Sequence, residues 1–177
     1  MTVHIPKDAS GGFINNAQET WTYSFDKILH NASQEDVFQY CGEEIVRKVP
    51  DGYNGTIMAY GQTGAGKTFT MNGSTPNFKY RGLIPRAINL IFQEIGSKHD
   101  HDIVVKVSFL EIYNEQIYDL LSDERRDSQA GSAISIQDDA KGEVHVKGLQ
   151  CLHARNEEEA LNILFEGETR KTLAATQ

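Results

Sequence analysis

Cysteine is nearly missing from this chain: among 177 residues only Cys41 and Cys151 carry thiols, far apart and without C-x-x-C spacing. That excludes a disulfide framework and a cysteine-based metal site, and leaves two indifferent or buried thiols suited to a reducing compartment. Long apolar runs are missing too, since nothing approaches the roughly 18 residues of a membrane-spanning helix. The N-terminus has no basic segment followed by an apolar one, so no secretory signal is read there. Basic residues do not dominate: 17 Lys and Arg stand against 25 Asp and Glu, a formal charge of -8. Non-specific nucleic-acid binding needs clustered cations and is therefore not expected as the main activity. No internal repeat and no nucleophile elbow is present. The expectation is a soluble, intracellular protein with neither membrane nor nucleic acid as a partner.

What is present is ordinary for a globular protein, with 39% apolar and 24% charged residues, enough for one domain with a real core. The first twenty residues are polar and broken by Gly11 and Gly12. Trp21 to Phe25 alternates rings with hydroxyls, as a half-buried strand does. Ser33 with Asp36 reads as a helix start. Val37, Cys41, Ile45 and Val49 then recur every four residues, predicting a core-facing stripe that Pro50 and Gly52 end. Thr56 to Tyr60 is short and apolar throughout, which predicts a strand buried on both faces of a parallel sheet. A helix is predicted from about Pro85 to Ile95, presenting Ile84, Ile88, Ile91 and Ile95 and ended by Gly96.

Ile103 to Tyr113 reads as one long strand, and Asp123 to Ser132 as a mobile charged loop. Ile134–Ile136 and Val144–Val146 flank Lys141-Gly142 as a β-hairpin. Asn156 caps a last helix whose first turn is Glu157, Glu158 and Glu159. That acidic run is read as complementing a helix N-terminus rather than as a cation or partner site. Strand and helix alternate, which predicts a three-layer α/β domain with a central, mostly parallel sheet flanked by helices.

One segment carries chemistry. Gly61-Gln62-Thr63-Gly64-Ala65-Gly66-Lys67-Thr68 fits G-x-x-x-x-G-K-[ST] without a mismatch. Glycines let consecutive N–H groups point at phosphate oxygens. A helix starting near Lys67 adds unsatisfied amides and the positive end of its dipole. The Lys67 ammonium suits the β- and γ-phosphates, and the Thr68 hydroxyl is the oxygen ligand that Mg²⁺ prefers. Context supports the match, because a buried-type strand precedes the loop and helix-compatible residues follow it. Phe69 either packs under the new helix or offers a face to a base. Glu111, Glu115 and Asp119 look like turn and surface groups rather than paired acid and base. His99 and His101 lack a third ligand nearby, so a solvated loop is expected there rather than a metal site.

Gly52 to Met71, reading GYNGTIMAYGQTGAGKTFTM, resembles the signature of kinesin motor domains. Arg81 to Arg86 (RGLIPR), Val107 to Leu121 (VSFLEIYNEQIYDLL) and Val146 to Leu149 (VKGL) resemble three further blocks of that family, in the same order. The match runs from about Tyr23 to the end, and details such as LFEGETRK look most like the kinesin-nine subfamily, associated with cilia and flagella. The resemblance implies an ATPase moving along microtubules, with ATP and Mg²⁺ held by Gly61 to Thr68, Phe69 against the adenine, and a cytoskeletal location. The hairpin with Lys141 and Lys147 matches a region that touches tubulin; each lysine is either a contact or an ordinary surface charge. With the chain at -8, attraction to an acidic microtubule surface must come from a local patch.

Departures from the family pattern are as informative. The R-x-R-P segment of a first strand does not occur before Trp21, and neither N-x-x-S-S-R-S-H (switch I) nor D-L-A-G-S-E (switch II) occurs at all. Residues 1–177 are therefore expected to be a partial motor domain, the phosphate-loop half. Without the switches, most of the positioning and charge stabilisation behind hydrolysis is lacking. The alternatives are a non-catalytic nucleotide- or tubulin-binding module and another P-loop NTPase, such as a kinase or GTPase.

Overall fold

In the computed structural model, which describes residues 1–5, 19–74, 78–123 and 134–175, the chain divides into two units, one from Met1 to Ser33 and one from Gln34 onward. The first contains a strand that the sequence reading did not assign, β1 (Thr2–His4), antiparallel to β2 (Thr20–Thr22) with Val3 opposite Trp21. The pair is closed by hydrogen bonds in both directions between Met1 and Tyr23. Residues 6–18 of the polar first twenty, and residues 124–132 of the charged loop expected at Asp123–Ser132, lie outside the described residues.

In the second unit the helix after Ser33 is not continuous. It is α1 (Gln34–Cys41) and α2 (Glu43–Lys48), joined at Gly42 and followed by a 3-10 turn at Val49–Asp51. The buried face is displaced by one residue from the expected stripe: Gln34, Phe38, Gly42 and Val46 are buried at the same four-residue spacing, whereas Ile45 and Val49 are exposed. Phe38 and Val46 pack with Leu83 and Leu90 of α4 (Leu83–Gly96), and Ile57, Met71 and Ile91 close the cluster. A short helix, α3 (Lys67–Met71), follows the phosphate-loop motif.

The expected long strand from Ile103 to Tyr113 is two strands with different partners. β3 (Val105–Val107) pairs with β8 (Leu152–Ala154), and β4 (Leu110–Tyr113) pairs with β5 (Gln116–Asp119). The change of partner at Ser108 and Phe109 is what divides it. The β4–β5 turn is made by Asn114 and Glu115, both at positive φ, the primed-turn geometry that fits strand twist. The hairpin of β6 (Ser135–Asp138) and β7 (Val144–Lys147) forms as expected, with Ile136 opposite Val146. The final helix, α5 (Glu157–Ala175), is capped at Asn156, whose Oδ1 accepts the Glu159 amide at 2.8 Å.

Every ladder among the described residues is two-stranded and antiparallel. The parallel strand expected at Thr56–Tyr60 is therefore a correction. This stretch joins no ladder, and Met58 is 85% exposed. A parallel strand needs a hydrogen-bonded neighbour alongside, and residues 56–60 have none among the described ladders.

Close backbone approach fixes the junction between α3 and α4. Gly82 donates to the Asn72 carbonyl at 3.1 Å, and Gly73 bridges Arg81. A Cβ on Gly82 would lie 2.5 Å from the Met71 carbonyl oxygen and 2.6 Å from the Gly73 nitrogen, both backbone atoms that cannot swing aside. Gly96, at the end of α4, has open space instead. Gly82→Ala is therefore expected to destabilise the fold by about 2 kcal/mol or more. Gly96→Ala is expected to stabilise it by about 0.5 kcal/mol through the unfolded chain's entropy. Opposite shifts of the urea midpoint check the pair.

Candidate phosphate-binding site

The motif residues lie between the unpaired stretch at 56–60 and the N-terminus of α3. Gly64 (φ 81°) and Gly66 (φ 91°) occupy the left-handed region, which costs side-chain-bearing residues about 1 kcal/mol or more. A Cβ on either would meet open space, so backbone direction rather than crowding selects glycine. The loop turns through a bond from the Ala65 amide to the Gln62 carbonyl at 3.1 Å.

The first intrahelical bond of α3 runs from the Thr70 amide to the Gly66 carbonyl at 2.8 Å. The amides of Lys67, Thr68 and Phe69 precede it and have no carbonyl one turn back within the helix. They carry the partial positive charge of the helix end. Gly66 is the N-cap and offers no side chain to occupy them.

Lys67 closes the loop on itself. Its Nζ donates to the Gly61 carbonyl and to the Gln62 carbonyl, each at 2.8 Å. An ammonium has three N–H donors, so one remains for another acceptor. Thr68 is exposed at the helix start. Phe69 is 51% exposed, so its ring is not packed away in the core and keeps a free face. The stretch from Gly61 to Phe69 thus offers glycines at positive φ, first-turn amides and an ammonium, donors of the kind that suit the oxygens of a triphosphate.

A residue that sequence reading missed supports this stretch. Gln34, at the first position of α1, is buried, and its Nε2 donates to the Phe69 carbonyl at 2.7 Å. Nothing in the sequence distinguishes it from a surface glutamine; only burial does.

The other candidates resolve individually. Glu115 lies in the β4–β5 turn, and Asp119 accepts the amides of Leu121 and Gln150 at 2.8 Å each, as turn and surface groups do. Within the acidic run, Glu157 takes Arg81 at 3.4 Å and Asn89 at 2.8 Å, joining α5 to α4. Glu159 accepts both the backbone and the side chain of Arg155, and that guanidinium holds its carboxyl below the ordinary value. His99 and His101 are exposed. A group of ligand-type atoms within 4.8 Å of one another lies instead at Asp139, Glu143 and His145, also exposed.

Lys141 and Lys147 are both exposed on the β6–β7 hairpin. Asp139 organises the turn that presents them. Its Oδ1 accepts the Lys141 amide at 2.7 Å and the Glu143 amide at 2.9 Å, and Gly142 takes the positive φ of 79°. No helix among the described residues is long and apolar enough to cross a membrane.

Comparison with known proteins shows the family. The profile of the kinesin motor domain matches residues 4–177. Kinesin-like protein KIF9 of Mus musculus is 44% identical over 175 residues, covering 99% of this chain and 22% of that protein. Kinesin-like protein KLP1 of Chlamydomonas reinhardtii is 47% identical over 174 residues, covering 98% of this chain and 22% of that protein. The solved structure of a fast kinesin superposes with a TM-score of 0.79 at 34% identity, over 90% of this chain and 44% of that one. The chain thus spans under a quarter of the length of these curated relatives.

The hairpin turn has a defined pH response. Amides of Glu143 and Lys141, in that order, hold the Asp139 carboxyl below its ordinary value of 3.8. A folded value depressed below the unfolded one stabilises the turn fully above pH 3.8 and loses that contribution as pH falls through the folded value. Exchange protection at the Lys141 and Glu143 amides should therefore persist at mildly acidic pH and disappear on stronger acidification. Asp139→Asn, which keeps an acceptor oxygen without a titrating group, should flatten that dependence.

Proposed function

The chain belongs to the kinesin motor-domain family and shares its α/β P-loop NTPase fold, and from that premise we propose that it is the ATP-binding part of a microtubule-based motor. The observation that carries this reading is the loop from Gly61 to Thr68. Positive-φ glycines, the first-turn amides of α3 and the Lys67 ammonium all lie between Gly61 and Phe69, which supports the reading. In this reading the amides and Lys67 hold the triphosphate, Thr68 ligates Mg²⁺, and Phe69 lies against the adenine. The magnesium neutralises phosphate charge when bound. The whole protein couples hydrolysis to movement along microtubules and works on the cytoskeleton, in the cytoplasm and in a cilium or flagellum. Lys141 and Lys147, presented by an ordered turn, supply local positive charge toward tubulin on a chain that is otherwise acidic.

Residues 1–177 taken alone are proposed to bind ATP weakly and to hydrolyse it negligibly. The motivating fact is that neither switch motif occurs among them, and P-loop catalysis rests on positioning and charge stabilisation around the γ-phosphate. A microtubule-stimulated ATPase assay on this polypeptide is expected to give no stimulated phosphate release; family-like turnover would overturn the reading.

Binding is the more direct test. Lys67→Ala removes the ammonium and both bonds that close the loop, and is expected to weaken Mg-ATP binding at least tenfold. Thr68→Ala should weaken binding with magnesium present and leave the magnesium-free affinity nearly unchanged. Displacement of a fluorescent ATP analogue measures both. A sharp preference for GTP over ATP would point to a different P-loop enzyme.

A further inference from the structure

Helix α3 has five residues, one turn and a half, so it cannot fix its own direction. Its Thr68 carbonyl is bonded to the Asn72 amide, but the Phe69 carbonyl lies in the last turn, where carbonyls have no intrahelical partner. Two outside groups hold this end. Gln34 donates to the Phe69 carbonyl at 2.7 Å, and the Gly82 amide donates to the Asn72 carbonyl at 3.1 Å.

The two clamps are themselves joined. Glu35, next to Gln34, accepts a hydrogen bond from the Arg86 guanidinium. Arg86 is 7% exposed and also donates to the Arg81 carbonyl at 2.9 Å, beside Gly82. The start of α1, the segment before α4 and the end of the phosphate-loop helix therefore form one hydrogen-bonded frame. Gln34 is 7% exposed. A side-chain amide that deeply buried is unfavourable unless it is bonded, so its contact with α3 is specific rather than incidental.

We propose that Gln34 is a positioning residue for the nucleotide site: it touches no phosphate, but by holding the Phe69 carbonyl it sets the direction of α3 and of the amides that face the ligand. Fixing the Phe69 backbone also fixes where its half-exposed ring stands. The inference rests on the phosphate-loop reading above.

Gln34→Met keeps the length and bulk of the side chain and removes the donor. Three readouts separate positioning from plain destabilisation: Mg-ATP affinity by displacement of a fluorescent ATP analogue, the melting temperature, and amide exchange at Thr70 and Asn72. The comparison variant is Leu90→Val, which lowers stability in the core cluster and leaves in place both hydrogen bonds that hold the end of α3. Gln34→Met is expected to weaken ATP binding about tenfold and to speed exchange at Thr70 and Asn72 by a similar factor. Leu90→Val should lower the melting temperature and leave both other readouts within about twofold. A Gln34→Met variant that melts lower while affinity and exchange match those of Leu90→Val would overturn the proposal. An unsubstituted chain that is folded yet binds no ATP would overturn the phosphate-loop reading instead, and the exchange measurement would still decide whether Gln34 holds α3.

Discussion

A helix of five residues presents the amides on which the candidate site depends, and everything around it compensates for that shortness. At its N-terminal side Lys67 bonds back to the carbonyls of Gly61 and Gln62, so the loop is closed by its own ammonium. At its C-terminal side the Phe69 and Asn72 carbonyls are taken by Gln34 and by the Gly82 amide. A short helix contributes little stability of its own. Its orientation is set by what holds its ends, and here those holders come from α1 and from the segment leading into α4. The apolar cluster of Phe38, Val46, Leu83 and Leu90 then fixes α1, α2 and α4 against one another. Packing in the core thus reaches α3 through the Gln34 and Gly82 hydrogen bonds and through Met71, which packs against that cluster.

Charge is organised in a related way. The chain is acidic overall, yet its described arginines are mostly engaged in joining elements. Arg47 bridges Glu43 and Glu94 between α2 and α4, Arg81 reaches Glu157 on α5, and Arg86 reaches Glu35 on α1. Arg170 of α5 holds Asp123 and the Ser122 carbonyl after β5. Apart from the pair of the buried Arg86, solvent-accessible pairs of this kind contribute about 0–1 kcal/mol each, so their value is more in alignment than in stability. Lys141 and Lys147 differ: they enter no ion pair among the described residues and stand on a hairpin whose turn is built by Asp139. Positive charge kept free on an ordered projection of an acidic chain is what a contact with an acidic partner requires.

The phosphate-loop motif, the helix beginning at Lys67, the β6–β7 hairpin and the Asn156 cap were all legible in the sequence, because each depends on residue types at fixed short spacings. Gly64 and Gly66 are needed by local backbone geometry, and Asn156 by the amide three residues on. The stripe of Val37, Cys41, Ile45 and Val49 was one position out of phase, because the face that is buried carries Gln34 and Gly42 beside Phe38 and Val46 and so is not marked by apolar residues throughout. The Ile103–Tyr113 strand was read as one for a different reason. Alternation reports which side chains face inward but carries no information about which partner each half will find.

Sequence alone determined the chemistry available at Gly61 to Thr68 and the family to which it belongs, since local conformation and functional groups are properties of neighbouring residues. Tertiary structure alone decided which distant groups hold that chemistry in place. Gln34 reaches Phe69 across 35 positions and Arg86 reaches Glu35 across 51. Pairings over such separations are set by how helices pack and by which buried polar groups must find partners, and no local pattern encodes them.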